Sequence, residues 1–451
     1  MFTTLRRIIR NPLFWILLFV VIYWGVLSLK FNQPQIGGDT PLYLEISEDI
    51  RPVLCGDEDI VRTPVYPVFL ALHRKLFGNE HFLEWTVRSQ MLLSLIAIVV
   101  FYYLAKSLLK NNILATFTAL GFAGNLFIAH GNTVIMTESL AISGIVFLAA
   151  ILVSHHHKPT FLKAFLLGIT VFLLIMLRPA FLILLPIFIL FWACRLLFVR
   201  KTWKKEIAGL ITIFAMAGLV LGYCHLIRQK SGVFNLTVIA PLNQFTRVIQ
   251  SGLYQNGSDP EINRHIQSAI EEYQQQYPVY IKHHPYWLFR APGWDGENDP
   301  IFYMSKVWER EGYGLSTKQK CDYATQTITA NKLAYIKYLL KKTIVEGYFS
   351  GRLLKFCWVY GLLLVDFLTI LFFLKRFSAS QTICHVILSL IVAGCYFTAI
   401  AGGQAEYERL VLPVYPLTVL LFFSVIDRFT QWRFVQDPDS AKRKITIDIS
   451  P

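Results

Sequence analysis

Ten apolar runs, separated by short polar links or by two long more polar stretches, leave this chain few folds to choose from. They cover residues 12–29, 91–109, 113–128, 140–153, 161–177, 181–197, 207–226, 353–374, 383–400 and 411–426. A helix needs about 20 residues to cross roughly 30 Å of hydrocarbon, and most of these runs approach that length. A 451-residue chain that is 55% hydrophobic, 16% charged and has a mean hydropathy of +0.48 is too apolar for an ordinary soluble protein. The expected fold class is an all-α polytopic membrane protein with about ten transmembrane helices, juxtamembrane external helices and a small external domain.

The formal charge of +14 could point to nucleic acid. The lysines and arginines, however, fall between the apolar runs instead of forming one basic face, so no nucleic-acid partner is expected and the charge reads as membrane orientation. Arg6, Arg7 and Arg10 precede the first run; no small-residue cleavage site follows it, so it is expected to remain as a signal anchor with the N-terminus in the cytoplasm. Lys110, Lys158 with Lys163, Arg200 to Lys205, Lys375-Arg376 and the tail at Lys442, Arg443 and Lys444 mark the cytoplasmic links; the intervening links face outward. This arrangement satisfies every loop charge with both termini inside.

Four regions follow. Residues 1–227 form an N-terminal module of seven spans with a long first external loop at 30–88, residues 228–350 a mostly helical external domain, residues 351–427 three further spans, and residues 428–451 a basic tail. Asn331 to Phe349 places Leu333, Ile336, Leu340 and Ile344 on one face with lysines elsewhere, the pattern of a helix lying in the membrane interface. Among seven cysteines there is no zinc-like spacing; Cys55 and Cys321 lie outside the runs and could pair if both face an oxidising compartment. His155-His156-His157 reads as a loop tract able to bind metal adventitiously.

Polar residues near the outward helix ends carry the candidate chemistry. In Gly37-Gly38-Asp39-Thr40-Pro41-Leu42-Tyr43 a glycine pair leaves the first span, Thr40 reads as an N-cap and Pro41 as the first helical residue, which sets Asp39 at a helix N-terminus. Arg62-Thr63-Pro64-Val65-Tyr66-Pro67 repeats the signal, with Thr63 as cap and Phe69, Leu72 and Leu76 on one helix face. His130, Glu138 at the start of a span, Arg178 before Pro179, and Glu406 with Arg409 before two prolines complete the set. Asp39 and Glu138 can each be read as a helix-capping carboxylate or as a catalytic or metal-holding one. Arg178 and Arg409 can snorkel to headgroups or bind phosphate bidentately. Asp366, inside an apolar run on the cytoplasmic half, reads best as making a structural hydrogen bond or pairing with a neighbouring basic residue. No Walker A loop, HExxH or GxSxG elbow is present, so ATPase, zinc-protease and hydrolase readings lack support.

The order of these motifs, Gly38-Asp39-Thr40-Pro41-Leu42-Tyr43, Arg62-Thr63-Pro64-Val65-Tyr66-Pro67, Thr137-Glu138-Ser139-Leu140, Arg178-Pro179 and Glu408-Arg409-Leu410 leading to Leu412-Pro413-Val414-Tyr415-Pro416, resembles the GT-C superfamily of membrane glycosyltransferases. It is most similar to the bacterial branch related to protein O-mannosyltransferases and the lipid A aminoarabinose transferase. The likeness covers the first seven spans and the last; the external domain carries no signature of it. The resemblance implies a GT-C-like fold and transfer of a sugar from a polyprenyl-phosphate donor, with inversion and without a nucleotide, to a glycan, lipid or protein acceptor at the outer face of a bacterial inner membrane. It implies Asp39 as general base on the acceptor hydroxyl, and Glu138 as the second acid, assisting Asp39 or joining it around a divalent cation. Arg62, Tyr43, Tyr66, His130, Arg178, Glu406 and Arg409 are then the candidates to bind lipid phosphate and sugar. A transporter or flippase of a lipid-linked sugar is the rival reading, with Asp366 as its informative residue; a partner-binding scaffold is the third.

Overall fold

The computed structural model describes residues 11–30, 33–56, 62–276, 307–308, 310–349, 354–373, 379–402 and 411–436. Among them every regular element is helical, and the strand-like feature is a parallel bridge of Gln35 with Val134. Among the described residues six helices are long and apolar enough to cross a membrane, and Pro12–Leu27, Asn112–Ala123, Phe161–Leu177 and Val359–Phe372 are shorter apolar ones. Large apolar side chains line the outside of the bundle, among them Ile113 (65% exposed), Leu197 (70%) and Phe372 (73%). A soluble surface does not carry so continuous an apolar coat. The chain is an all-α, multi-pass membrane protein.

The first helices are α1 (Pro12–Lys30), α2 (Thr40–Glu48), α3 (Arg51–Cys55) and α4 (Val65–Leu108). At 44 residues α4 would be about 66 Å long if straight, twice the hydrocarbon thickness. Gly78 divides it: its backbone angles of φ 73° and ψ 166° are nonhelical, so a first segment turns away from the span that follows. In that segment Phe69 packs against the core while Leu72 and Leu76 are exposed, so the three expected on one face separate. Next come α5 (Asn112–Ala123) and α6 (Leu126–Gly131), which divide the expected span 113–128. The physical reason is Asn125, whose side chain accepts from the Ile128 amide at 3.2 Å and restarts the helix.

The central helix α7 (Glu138–His157) buries Ile142, Ile145, Leu148, Ala149 and Leu152 together with Ser139 and Ser143. It packs against α4, against α8 (Phe161–Leu177), and against the 3-10 turn Leu412–Val414. Its N-terminus therefore sits in the middle of one end of the bundle. A 3-10 turn at Pro179–Ile183 leads into α9 (Leu184–Phe198), followed by α10 (Trp203–Ser231), which Gly232 closes in the left-handed conformation (φ 73°). Then follow α11 (Ile239–Gln250), α12 (Pro260–Gln276), α13 (Thr317–Ala330) and α14 (Lys332–Phe349), and last α15 (Leu354–Phe373), α16 (Ala379–Gly402) and α17 (Tyr415–Gln436). Phe245, Val248, Ile266, Trp308 and Tyr323 form a second apolar core apart from that of the bundle.

At the bundle end opposite Glu138, buried charges tie the helices together. Arg195 donates to both oxygens of Glu206 at 2.8 and 2.9 Å, His155 lies 3.3 Å from Glu206, and Arg195 donates to His156 Nδ1 at 3.1 Å. The histidine tract is thus the end of α7 with two of its rings buried, not an exposed loop, because it faces a buried ion pair. Asp366 accepts from Arg428 at 2.7 Å and from Ser389 at 2.5 Å, the basic partner expected for it. Cys55 and Cys321, whose pairing the sequence left open, are both free thiols.

Candidate active site

The site begins with a loop stitched to another loop. Gln35 donates its amide to Thr133 O at 2.9 Å and accepts from the Ile135 amide at 3.0 Å. Gly37 approaches so closely that an added Cβ would lie 3.3 Å from Val134 Cγ1 and 2.5 Å from Met136 Sδ. A side chain here would force the Met136 side chain to shift. Thr40 then closes the corner: its hydroxyl donates to Ile135 O at 2.9 Å and accepts from the Gly37 amide at 2.8 Å. The carboxylate of Asp39 and the start of α7 are thereby set beside each other although Asp39 and Glu138 lie 99 positions apart in sequence.

Both threonines expected as caps are displaced from that role. Asp39 is the N-cap of α2 and Thr40 its first residue; Asp39 has helical angles (φ −88°, ψ −10°) and makes no side-chain cap bond. A capping side chain needs extended backbone at that position. Likewise Pro64 is the N-cap of α4, and Thr63 donates its hydroxyl to Leu177 O at 3.0 Å, which fastens the start of α4 to the end of α8. Both hydroxyls join distant segments instead of ending their own helices.

Asp39, released from capping, accepts from Arg62 Nη2 at 2.5 Å. The pair is partly buried, at 24% and 18% side-chain exposure. Glu138, the first residue of α7, faces Arg178 Nη1 at 3.4 Å, with both side chains at or below 10% exposure. Arg178 is held by the break it creates, since it ends α8 and begins the 3-10 turn through Pro179.

Tyr43 joins the two pairs. Its ring packs edge-on against Tyr66 with centroids 5.0 Å apart, and the Arg62 guanidinium lies 5.5 Å from its centroid. Burial pushes the Tyr43 hydroxyl above the usual phenol range, Arg62 and Arg178 pull it back, and Glu138 and Asp39 raise it further. All four charged groups thus act on this one hydroxyl. Tyr66 donates to Gln90 Oε1 at 2.9 Å, and the Gln90 amide donates to Asn132 O at 3.1 Å and Val134 O at 3.0 Å. Ser94 and Ser139 both donate to Asn132 Oδ1 at 2.7 Å.

Asp39, Glu138, Arg62, Arg178, Tyr43 and Tyr66 therefore come together. His130, half-buried at the end of α6, contributes its carbonyl to a turn, accepting from Thr133 N at 2.9 Å and Thr133 Oγ1 at 2.8 Å. Glu406 and Arg409 lie outside the described residues. Gln90, Asn132, Ser94 and Ser139 were not anticipated from the sequence. A signal existed in Thr86, Gln90 and Ser94, polar residues at steps of four leading into an apolar run, all fully buried. Asp39 and Glu138, the pair expected around any divalent cation, are each engaged by an arginine, and among the described residues no group of three or more His, Cys, Asp or Glu is placed to hold a metal ion.

Fold and site together define a multi-pass helical membrane protein with two carboxylate–arginine pairs at one end of its bundle. No protein-family model matches the sequence, and no curated protein matches it. Among solved structures the chain is similar to the archaeal oligosaccharyltransferase AglB from Archaeoglobus fulgidus, in complex with an inhibitory peptide and a dolichol-phosphate, with 13% identity and a TM-score of 0.48. The match covers 96% of this chain and 52% of that one, so the chain spans about half its length.

Proposed function

We propose that this protein is a GT-C-type inverting glycosyltransferase that moves a sugar from a polyprenyl-phosphate donor to an acceptor hydroxyl at the outer face of a bacterial cytoplasmic membrane. The observation that carries the reading is the convergence of Asp39–Arg62 and Glu138–Arg178 on the buried Tyr43. Transfer from a lipid phosphate needs a carboxylate near the attacking hydroxyl and cations near the leaving phosphate, and here both lie at one bundle end. The order of the motifs along the sequence supports the same reading. The acceptor class, glycan, lipid or protein, stays with the proposal.

In the proposed step the acceptor oxygen attacks the anomeric carbon and Asp39 takes its proton. The bond from the anomeric carbon to the phosphate oxygen breaks, and its electron pair stays on the phosphate. The products are a glycoside of inverted configuration and polyprenyl phosphate. The lipid gains one negative charge as Asp39 loses one. Arg178 and Arg62, in partly desolvated positions, stabilise the charge growing on the phosphate. Glu138 holds Arg178 in place through the buried pair. Tyr43 and Tyr66 pack behind the charges and hold the segments that carry them together.

A general base contributes about 10²–10⁴-fold to such a step. Asp39→Asn is therefore expected to lower transfer at least about 100-fold at unchanged protein abundance. Mass spectrometry of envelope glycans and glycolipids from intact, gene-deleted and Asp39→Asn strains tests this. Loss of the same sugar from the last two identifies both the sugar and its acceptor. A sugar profile that changes on deletion and is unchanged in the Asp39→Asn strain would overturn the catalytic assignment.

A further inference from the structure

Arg62 has two claims on it. Its guanidinium is already engaged by the carboxylate of Asp39 at 2.5 Å, yet in the transfer proposed above the same group is wanted by the lipid phosphate. The carboxylate is equally engaged, because the oxygen that accepts from the guanidinium cannot at the same time face an acceptor hydroxyl. We infer that Arg62 is a cation shared in turn by Asp39 and the donor phosphate, so that seating the phosphate draws Arg62 away and frees Asp39 to act as base. The inference rests on the glycosyltransferase reading and adds to it an order of events, donor before acceptor.

Several features favour an exchange over a fixed pair. Arg62 and Asp39 keep 18% and 24% of their side chains exposed, so the pair can be reached by a ligand, whereas Arg178 and Glu138 are at 10% and 6%. Arg62 stands just ahead of the Pro64 cap and belongs to no helix, so its side chain can swing without moving a span. The guanidinium fork fits a carboxylate and a phosphate with the same geometry, and no other side chain does this equally well. The Tyr43 ring beneath the guanidinium gives it a surface to slide over.

The charges also account for the return step. Once Asp39 has taken the acceptor proton it is neutral, and the lipid has become a phosphate monoester that can carry two charges. Arg62 then stays with the phosphate. It goes back to Asp39 after the proton has passed to water and the lipid has left. Product polyprenyl phosphate is thus bound more tightly than the donor diester.

The exchange predicts an effect opposite to that of an ordinary loss of a binding-site residue. Asp39 competes with the phosphate for Arg62, so Asp39→Asn, which stops transfer, should tighten binding of a lipid phosphate. Farnesyl phosphate titrated into purified protein in nanodiscs serves as the probe, with inorganic phosphate as the comparison that shows whether the lipid chain is needed. Asp39→Asn is expected to bind farnesyl phosphate at least about threefold more tightly than the unaltered protein, the scale of a partly exposed ion pair. Arg62→Ala should bind more weakly, and adding Asp39→Asn to it should change nothing further. Unaltered or weaker binding by Asp39→Asn overturns the exchange, as does equal tightening in the Arg62→Ala background, which would mean a simple loss of negative charge. Arg62→Lys, which keeps the charge, separates a folding defect from loss of the cation by restoring part of the affinity. If the unaltered protein binds farnesyl phosphate and Asp39→Asn fails to tighten it, the exchange alone falls. If no variant binds it and the intact strain transfers no sugar, the glycosyltransferase reading falls with it.

Discussion

At the scale of single residues, the two ion pairs of the site differ in what they cost to break. Glu138 and Arg178 are nearly dry, so removing one partner strands the other charge in a medium that solvates it poorly. Arg178→Ala is expected to lower stability by about 3 kcal/mol, and the double variant Arg178→Ala with Glu138→Ala to recover part of that loss. Thermal unfolding in detergent checks this; a double variant no better than the single one would show that the pair is not the source. Asp39 and Arg62 touch water, and their separation costs correspondingly less. That contrast is what allows one pair to serve as scaffold while the other can change partners.

Among the elements, α4 does the most to shape the site. Its first segment carries Tyr66 and its second carries Gln90 and Ser94, and the bend between them is made by Gly78. The combination φ 73°, ψ 166° is open to glycine and nearly closed to every other residue. An added Cβ would meet nothing within 4 Å, so the penalty is one of backbone conformation alone. Gly78→Ala should cost about 2 kcal/mol and misdirect the segment that carries Tyr66. The expected readout is a lower Tm together with weaker transfer; an unchanged Tm would show that the bend is held by packing. At the far end Arg195 and Glu206 join α9 to α10, while His155 joins α7 to α10 and His156 joins it to α9. Three helices thus share one buried charge network there.

For the molecule as a whole, the loop charges and the two polar bundle ends together predict an orientation. In the proposed topology Cys55 lies outside and Lys158 inside. Cys55 is an exposed free thiol, which makes it a natural reporter. A membrane-impermeant maleimide is expected to modify Cys55 in intact spheroplasts. In a chain with Cys55→Ser, Cys321→Ser and Lys158→Cys, labelling should wait until the cells are broken. The reverse pattern would put the candidate site in the cytoplasm and exclude an outward-facing transfer.

Much of this protein is legible in its residues alone. The apolar runs mark the helices because a bilayer tolerates few alternatives, and 161–177 coincides with α8 at both ends. Asp39, Arg62, Glu138 and Arg178 stand out because charges flanking apolar runs are few. What the sequence could not show is pairing. Thr40 and Thr63 look like caps by local rules, yet each bonds a carbonyl from a distant segment, since a buried carbonyl elsewhere competes for the same hydroxyl. The break at Asn125, the burial of His155 and His156, and the separation of Cys55 from any disulfide depend likewise on what lies opposite. Sequence set which residues must leave water and which must stay near it, because that follows from each side chain's own solvation. Only the tertiary structure decided which charge faces which, because a hydrogen bond depends on a few ångströms between segments far apart in sequence, as in Thr40 and Ile135, 95 positions apart.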